Sequence, residues 1–91
     1  MKAALLVVVL GLAGQVPQSV NFTALRVDRV EREIVGRETR LFTTFLTVHQ
    51  IDGRVVTPRT FWRAVRAGKT VQAKTFRRAG LRWAARINVK G

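Results

Sequence analysis

The chain has 91 residues, a formal net charge of +12 and no cysteine. This length allows one domain at most, and the lack of cysteine excludes a disulfide framework and a thiolate metal site. Since so small a domain is near the lower limit for an unaided core, we expect it to depend on a partner protein, a membrane or self-association.

The positive charge is concentrated in the second half of the chain. Residues 1–40 carry six Lys or Arg against four acidic residues, whereas residues 41–91 carry eleven against Asp52 alone. Such asymmetry suggests a polyanionic partner, which could be nucleic acid, anionic lipid or an acidic protein surface. The alternative is a solvated basic surface without a specific partner.

The side chains that catalysis requires are scarce. The sequence contains one His, one Ser, no Cys and no Tyr, too few for a nucleophilic triad or a histidine metal site. His49 lies in a run of Thr and Val, which indicates a structural or surface histidine. Four of the five acidic residues lie among arginines between Asp28 and Glu38, where intramolecular ion pairs are the simplest interpretation. We therefore expect no enzyme activity, no cofactor and no metal.

Residues 3–14 form an uncharged apolar run that has three alternative interpretations. It fits an export signal, a membrane anchor or membrane-embedded segment, or an element of a core or interface. A helix of this length spans roughly 18 Å, less than the hydrocarbon core of about 30 Å. Pro17 ends the run, so we assign residues 1–19 to an apolar segment with a linker and residues 20–91 to a basic β domain.

Residues 20–57 predict strands. Apolar and polar residues alternate in residues 20–35 with a change of phase, which favours a strand with a bulge, although a helix also fits. Residues 41–51 are rich in Thr, Phe and Val and predict one strand buried on both faces. Asp52 and Gly53 predict a two-residue hairpin turn, with residues 54–57 as the returning strand.

The last third of the chain predicts a helical turn and a hairpin. Thr60 is the expected cap of a helix over residues 60–67, which Gly68 ends. Residues 70–90 predict a β-hairpin around a turn at residues 77–80. From residue 81 onward the odd positions are apolar and the even positions mostly cationic, so we expect Trp83 to face the core and Arg82 to face outward.

Together these elements predict a mainly β fold, a small SH3-like or OB-like barrel of about five strands with one helical turn. We expect Phe42, Phe45 and Phe76 in its core, and Trp62 in the core or an interface. Its basic face is the candidate polyanion-binding site. The predicted site residues are Arg59, Arg63, Arg66, Lys74, Arg77, Arg78, Arg82, Arg86 and Lys90.

Five stretches carry a resemblance to a known family: A-L-R-V at 24–27, L-F-T-T-F at 41–45, D-G-R at 52–54, the segment 61–71, and A-G-L-R-W at 79–83. In this pattern the chain resembles small bacterial membrane-anchored proteins of unknown function, the DUF2500 and DUF3592 kind. The resemblance implies a compact β domain behind an N-terminal hydrophobic segment and a link to the membrane, and it implies no activity. The hydrophobic segment here is shorter, and the charge more basic, than in that family.

Two function hypotheses follow. The first is a non-enzymatic structural or interaction module, associated with a membrane or embedded in a larger assembly such as a virion, whose basic face meets an anionic partner. Such a module would contact a partner protein or a second copy of itself, with its basic domain on the cytoplasmic side of the membrane. The second is a soluble nucleic-acid-binding domain of the OB or SH3 type. An exported domain is a further alternative.

Overall fold

A computed structural model describes residues 17–91 of the chain. The interpretations of the apolar run at residues 3–14 fall outside this range. The described part is mainly β, as predicted, and no helix in it is long and apolar enough to cross a membrane. Its elements are β1 Gln18–Thr23, β2 Arg26–Asp28, β3 Glu33–Val35, β4 Arg40–Phe42, β5 Val48–Ile51, β6 Arg54–Val56, α1 Pro58–Ala64, β7 Thr70–Arg78 and β8 Leu81–Lys90.

These eight strands form one sheet in which β8 is central. One edge of β8 pairs antiparallel with β7, and its other edge pairs in parallel first with β4 and then with β5. The main path runs β1-β7-β8-β4-β3-β2, and β6 extends from β5. Among residues 17–91 the sheet does not close, so the prediction of a barrel is wrong in this respect.

A β-bulge interrupts the β7–β8 hairpin. Lys74 pairs with Arg86, but the next pair joins Thr75 to Ala84, which leaves Ala85 as the extra residue. A bulge places two residues of one strand opposite one residue of its partner. The inward and outward positions of β8 are therefore exchanged between its two halves.

This exchange of inward and outward positions explains why the prediction for β8 is correct in one half of the strand and wrong in the other. Ile87 and Val89 are buried as predicted, but beyond the bulge Ala84 is buried instead of its neighbour. Trp83 therefore lies on the side opposite the core, and Arg82 lies on the core side. Both assignments are the reverse of those predicted.

The core lies between the inner face of the sheet and α1. Phe61, Trp62 and Val65 supply its helical side, which confirms Trp62 as a core residue. Phe22 packs so closely on Gly36 that a Cβ there would collide with the ring. The other buried apolar residues are Ala24, Ile34, Leu41, Val71, Ala73, Ala84, Ile87 and Val89.

Helix α1 begins earlier than predicted. Thr57, not Thr60, is the N-cap, since its Oγ1 accepts a hydrogen bond from the backbone N–H of Thr60 at 3.2 Å. At the other end, Arg29 donates from Nε to the carbonyl of Trp62 (2.7 Å) and from Nη2 to that of Val65 (2.6 Å). These bonds attach the β2–β3 turn to the end of the helix.

The predicted strand over residues 41–51 is two strands separated by a loop. The side chains of Thr44 and Thr47 stabilise this loop by hydrogen bonds to its backbone. Thr47 Oγ1 accepts from the N–H of Thr44 at 2.9 Å, and Thr44 Oγ1 accepts from the N–H of Leu46 at 3.1 Å. Threonine favours strands but also makes such side-chain bonds to the backbone, which here override its β propensity. Phe45 is 89% exposed at the loop tip, so its assignment to the core is wrong.

The two predicted hairpin turns are confirmed. Asp52 and Gly53 have φ angles of 49° and 82°, and Ala79 and Gly80 have 55° and 76°. Two consecutive positive φ angles define the type I′ turn, whose twist suits a two-residue hairpin loop. The β7–β8 turn is thus two residues shorter than expected.

Candidate polyanion-binding face

The outer face of the sheet, the side opposite α1, is the candidate functional surface. All the described strands lie in one sheet and the described helix packs on its inner face, so no element of residues 17–91 covers the outer face. Side chains alternate between the two faces of a strand, so those that point outward form rows across neighbouring strands.

The central row is cationic and consists of Lys74 and Arg86. They are direct partners on β7 and β8, and both are exposed. Like charges in such a pair repel. Neither has an acidic partner, since the ion pair found within residues 17–91 joins Arg40 to Glu33. The cationic row therefore costs stability that an anionic ligand would recover.

An amide row lies beside the cationic row. Asn21, Gln72, Asn88 and Gln50 are successive partners on β1, β7, β8 and β5. Asn88 donates from Nδ2 to Gln72 Oε1 at 3.1 Å, and its Oδ1 accepts from the backbone of the β5–β6 turn at 2.7 Å. The amide and cationic rows line a shallow groove of about 500 Å³. The amide and cationic side chains that line the groove offer both donors and acceptors.

An aromatic row lies on the other side of the cationic row. Phe76, Trp83 and Phe42 are successive partners on β7, β8 and β4, and all three are half-buried. The rings of Trp83 and Phe42 have centroids 5.4 Å apart and are tilted by 41°. Trp83 Nε1 donates to the carbonyl of Arg78 at 3.1 Å, which orients the indole. These rings were predicted to be core residues, but they lie on the outer face.

The structure brings some of the predicted site residues together. Lys74 and Arg86 form the cationic row, and Lys90 lies on the same face, two outward positions further along β8. Arg77 and Arg78 are exposed beside the β7–β8 turn. Of these two, Arg78 is on the outer side and Arg77 on the inner side, because Arg77 pairs with Arg82.

The remaining predicted site residues lie elsewhere. Arg59, Arg63 and Arg66 are exposed on and just after α1, on the far side of the sheet from the cationic row. Arg82 is half-buried and donates from Nη1 to Gln18 Oε1 at 2.9 Å and to a threonine hydroxyl of β7 at 2.8 Å. Arg82 thus ties β1 to the hairpin rather than extending the cationic row.

His49 is a core residue, which agrees with the prediction of a structural histidine and not with that of a surface histidine. It is 2% exposed, and its ring meets that of Phe61 edge-on with centroids 5.1 Å apart. Burial lowers the pKa of His49, the nearby charge of Arg32 lowers it further, and a hydrogen bond with the backbone of Thr47 opposes the shift. Within residues 17–91, no three His, Asp or Glu side chains gather as a metal site would require.

Sequence reasoning placed Trp83 in the core because one extra residue, Ala85, reverses the side of the sheet on which Trp83 lies. The only sign of the bulge in the sequence is the pair Ala84-Ala85, since either alanine can face inward at little cost. A continuous alternation and a bulged one therefore fit residues 81–90 equally well.

Comparison with protein-family models finds no match. Comparisons with curated proteins and with solved structures find no significant similarity. The resemblance to small membrane-anchored proteins stays a prediction.

Proposed function

We propose that the protein is a non-enzymatic binding module whose outer face takes a single-stranded nucleic acid. The observation that carries the proposal is the position of the cationic row between the amide row and the aromatic row. Lys and Arg attract a phosphate backbone, and exposed aromatic rings provide stacking surfaces for bases. An anionic lipid headgroup would use the cations alone, whereas a nucleic acid would use all three rows.

The spacing of the rows suits this ligand. Neighbouring outward positions on a strand are about 7 Å apart, so Lys74 and Phe76 can contact the phosphate and the base of one bound strand. Arg86 and Trp83 repeat the arrangement on β8. The amide row adds donors and acceptors for base edges. OB-like domains also bind single-stranded nucleic acid on the open face of their strands. Of the two predicted fold types, SH3-like and OB-like, the OB-like one therefore suits this proposal.

Binding should depend strongly on salt and weakly on sequence. If Lys74, Arg86 and Lys90 each neutralise one phosphate, the logarithm of the association constant falls with the logarithm of salt concentration with a slope of about −2. Aromatic stacking accepts every base, so little discrimination between sequences is expected.

The test compares two double variants of the full chain in titrations of a labelled oligothymidine at several salt concentrations. Lys74→Gln with Arg86→Gln removes the cationic row, and Arg59→Gln with Arg63→Gln removes the same charge from α1 as a matched control. We expect the first pair to weaken binding at least about tenfold and to flatten the slope by about 1.4. The control pair should change either quantity far less.

A third variant separates stacking from charge. Trp83→Leu keeps an apolar side chain on β8 but removes the ring, and should weaken binding by about 1–3 kcal/mol with the salt slope unchanged. Equal losses in the two double variants would contradict a defined site, since they would mean that only net charge matters. Failure of the wild-type chain to bind at low salt would rule out the function.

A module associated with a membrane, or embedded in a larger assembly such as a virion, is the second candidate function. It draws on the same positive charge and on the apolar run at residues 3–14. The specific observation that favours it within the described residues is a set of exposed apolar side chains at Val30, Phe45 and Leu46.

A further inference from the structure

Three large apolar side chains project from two neighbouring loops. Val30 in the β2–β3 turn is 88% exposed, and Phe45 and Leu46 in the β4–β5 loop are 89% and 76% exposed. The backbone N–H of Thr43 donates to the carbonyl of Arg32 at 3.2 Å, so the two loops touch at one end of the sheet. We call residues 29–32 and 43–47 together the apolar loops.

Hydrogen bonds hold these side chains out. Asp28 Oδ1 accepts from the backbone N–H of Val30 at 3.1 Å and from that of Glu31 at 3.0 Å. The threonine bonds of the β4–β5 loop present Phe45 in the same way, and Thr47 Oγ1 anchors that loop by donating to a β8 carbonyl at 2.7 Å. The exposure of the apolar side chains is therefore part of the folded geometry.

Cationic side chains lie close to the apolar loops. Arg32 belongs to the β2–β3 turn. Arg29 of the same turn is bonded to the carbonyls of Trp62 and Val65, which brings the end of the helix, with Arg63 and Arg66, to the same region. The acidic residues there are Asp28 and Glu31, and the Asp28 carboxylate is engaged by the backbone of its own turn. The balance of charge around the apolar side chains is positive.

We propose that the apolar loops insert into the surface of an anionic lipid bilayer. Phenylalanine and aliphatic side chains at a protruding tip can enter the boundary between headgroups and acyl chains, while nearby guanidinium groups remain at the phosphates. Cations next to an inserted apolar group also gain from the negative potential of such a membrane. The tips protrude instead of lining a groove, which suits a deformable bilayer better than a rigid protein partner.

The test reads insertion at the loop itself, since the apolar run at residues 3–14 could hold the full chain on a membrane by itself. Phe45→Trp is made in a Trp83→Phe background, in which the buried Trp62 is the other tryptophan. The protein is mixed with phosphatidylglycerol vesicles whose acyl chains are brominated, and the emission of position 45 is taken as the difference from the Trp83→Phe background alone. Because bromine quenches tryptophan only on close approach, we expect the emission from position 45 to shift to the blue and fall. Val55→Trp in the same background is the matched control, because Val55 is 70% exposed but lies on β6. Its emission should stay unchanged.

A second measurement compares retention on the same vesicles at high salt. Phe45→Ser with Leu46→Ser should reduce retention about tenfold, since two inserted apolar side chains are lost, while oligothymidine binding stays as in the wild type. Absence of quenching at position 45, or equal quenching at position 55, would overturn the proposal. A protein partner would then be the expected ligand of the apolar loops. Equal insertion into purely zwitterionic vesicles would overturn the requirement for anionic lipid.

Discussion

His49 shows how a single residue reports on the core. Its imidazole is buried beneath α1, and burial lowers its pKa in the folded state below the ordinary value of 6.5. The unfolded chain therefore takes up a proton at a higher pH than the folded chain does. The stability that a neutral His49 contributes is complete above about pH 6.5 and is lost as the pH falls towards the lowered pKa.

We expect the free energy of unfolding to fall between pH 7.5 and pH 5.5, by at most about 1.4 kcal/mol per pH unit. The measurement is denaturant unfolding at several pH values. His49→Leu should remove the slope, because His49 is the one histidine in the sequence and histidine is the side chain whose ordinary pKa lies in this pH range. A slope that persists in this variant would show that another group is responsible.

The helix α1 shows how one hydroxyl sets the start of an element. Both Thr57 and Thr60 suit an N-cap by residue type, and only the backbone decides between them. Thr57 has extended φ and ψ angles of −70° and 154°, whereas Thr60 lies within the helix. Proline at the first helical position agrees with the earlier start, since its missing N–H would have no partner there.

Thr57→Ala should therefore destabilise the protein by about 1 kcal/mol, and Thr60→Ala should cost much less. The bond that Thr60 loses is an exposed hydroxyl contact with Thr57 at 2.9 Å, which water can replace. Thermal unfolding of the two variants provides the comparison. A larger loss for Thr60→Ala would contradict Thr57 as the cap.

At the scale of the whole molecule, charge and stability oppose each other. The chain carries a net charge of +12, while the ion pair within residues 17–91 is that of Arg40 and Glu33. Such an excess destabilises the compact state by self-repulsion. Salt shortens the range of this repulsion from about 30 Å at 0.01 M to about 8 Å at 0.15 M.

We expect the melting temperature to rise as sodium chloride is added. Each kcal/mol gained in the free energy of unfolding should raise it by about 4–8 °C. Lys74→Glu provides a matched variant, because it turns the facing pair with Arg86 into an attractive one worth about 0.2–1 kcal/mol. It should melt higher than the wild type at low salt and respond less to added salt, while oligothymidine binding weakens. A melting temperature that falls with salt would refute the self-repulsion argument.

Much of the fold could be read from local chemistry. The positive charge of the second half, the two hairpin turns at Asp52-Gly53 and Ala79-Gly80, and the mainly β class follow from residue type and spacing. Phe61, Val65 and Gly68 likewise place a short helix after β6. These features depend on neighbouring residues in the chain, so no knowledge of distant contacts is needed to predict them.

The sequence by itself thus determined the class of the fold, its turns and the presence of an unbalanced basic surface. Only the tertiary structure decided how that surface is composed. The bulge at Ala85 turned Trp83 outward and Arg82 inward, and it lies where the other edge of β8 passes from β4 to β5. Threonine hydrogen bonds opened the predicted strand over residues 41–51 into a loop that exposes Phe45. The first outcome depends on pairing between strands, and the second on hydrogen bonds from threonine side chains to the backbone. Periodicity within one strand encodes neither.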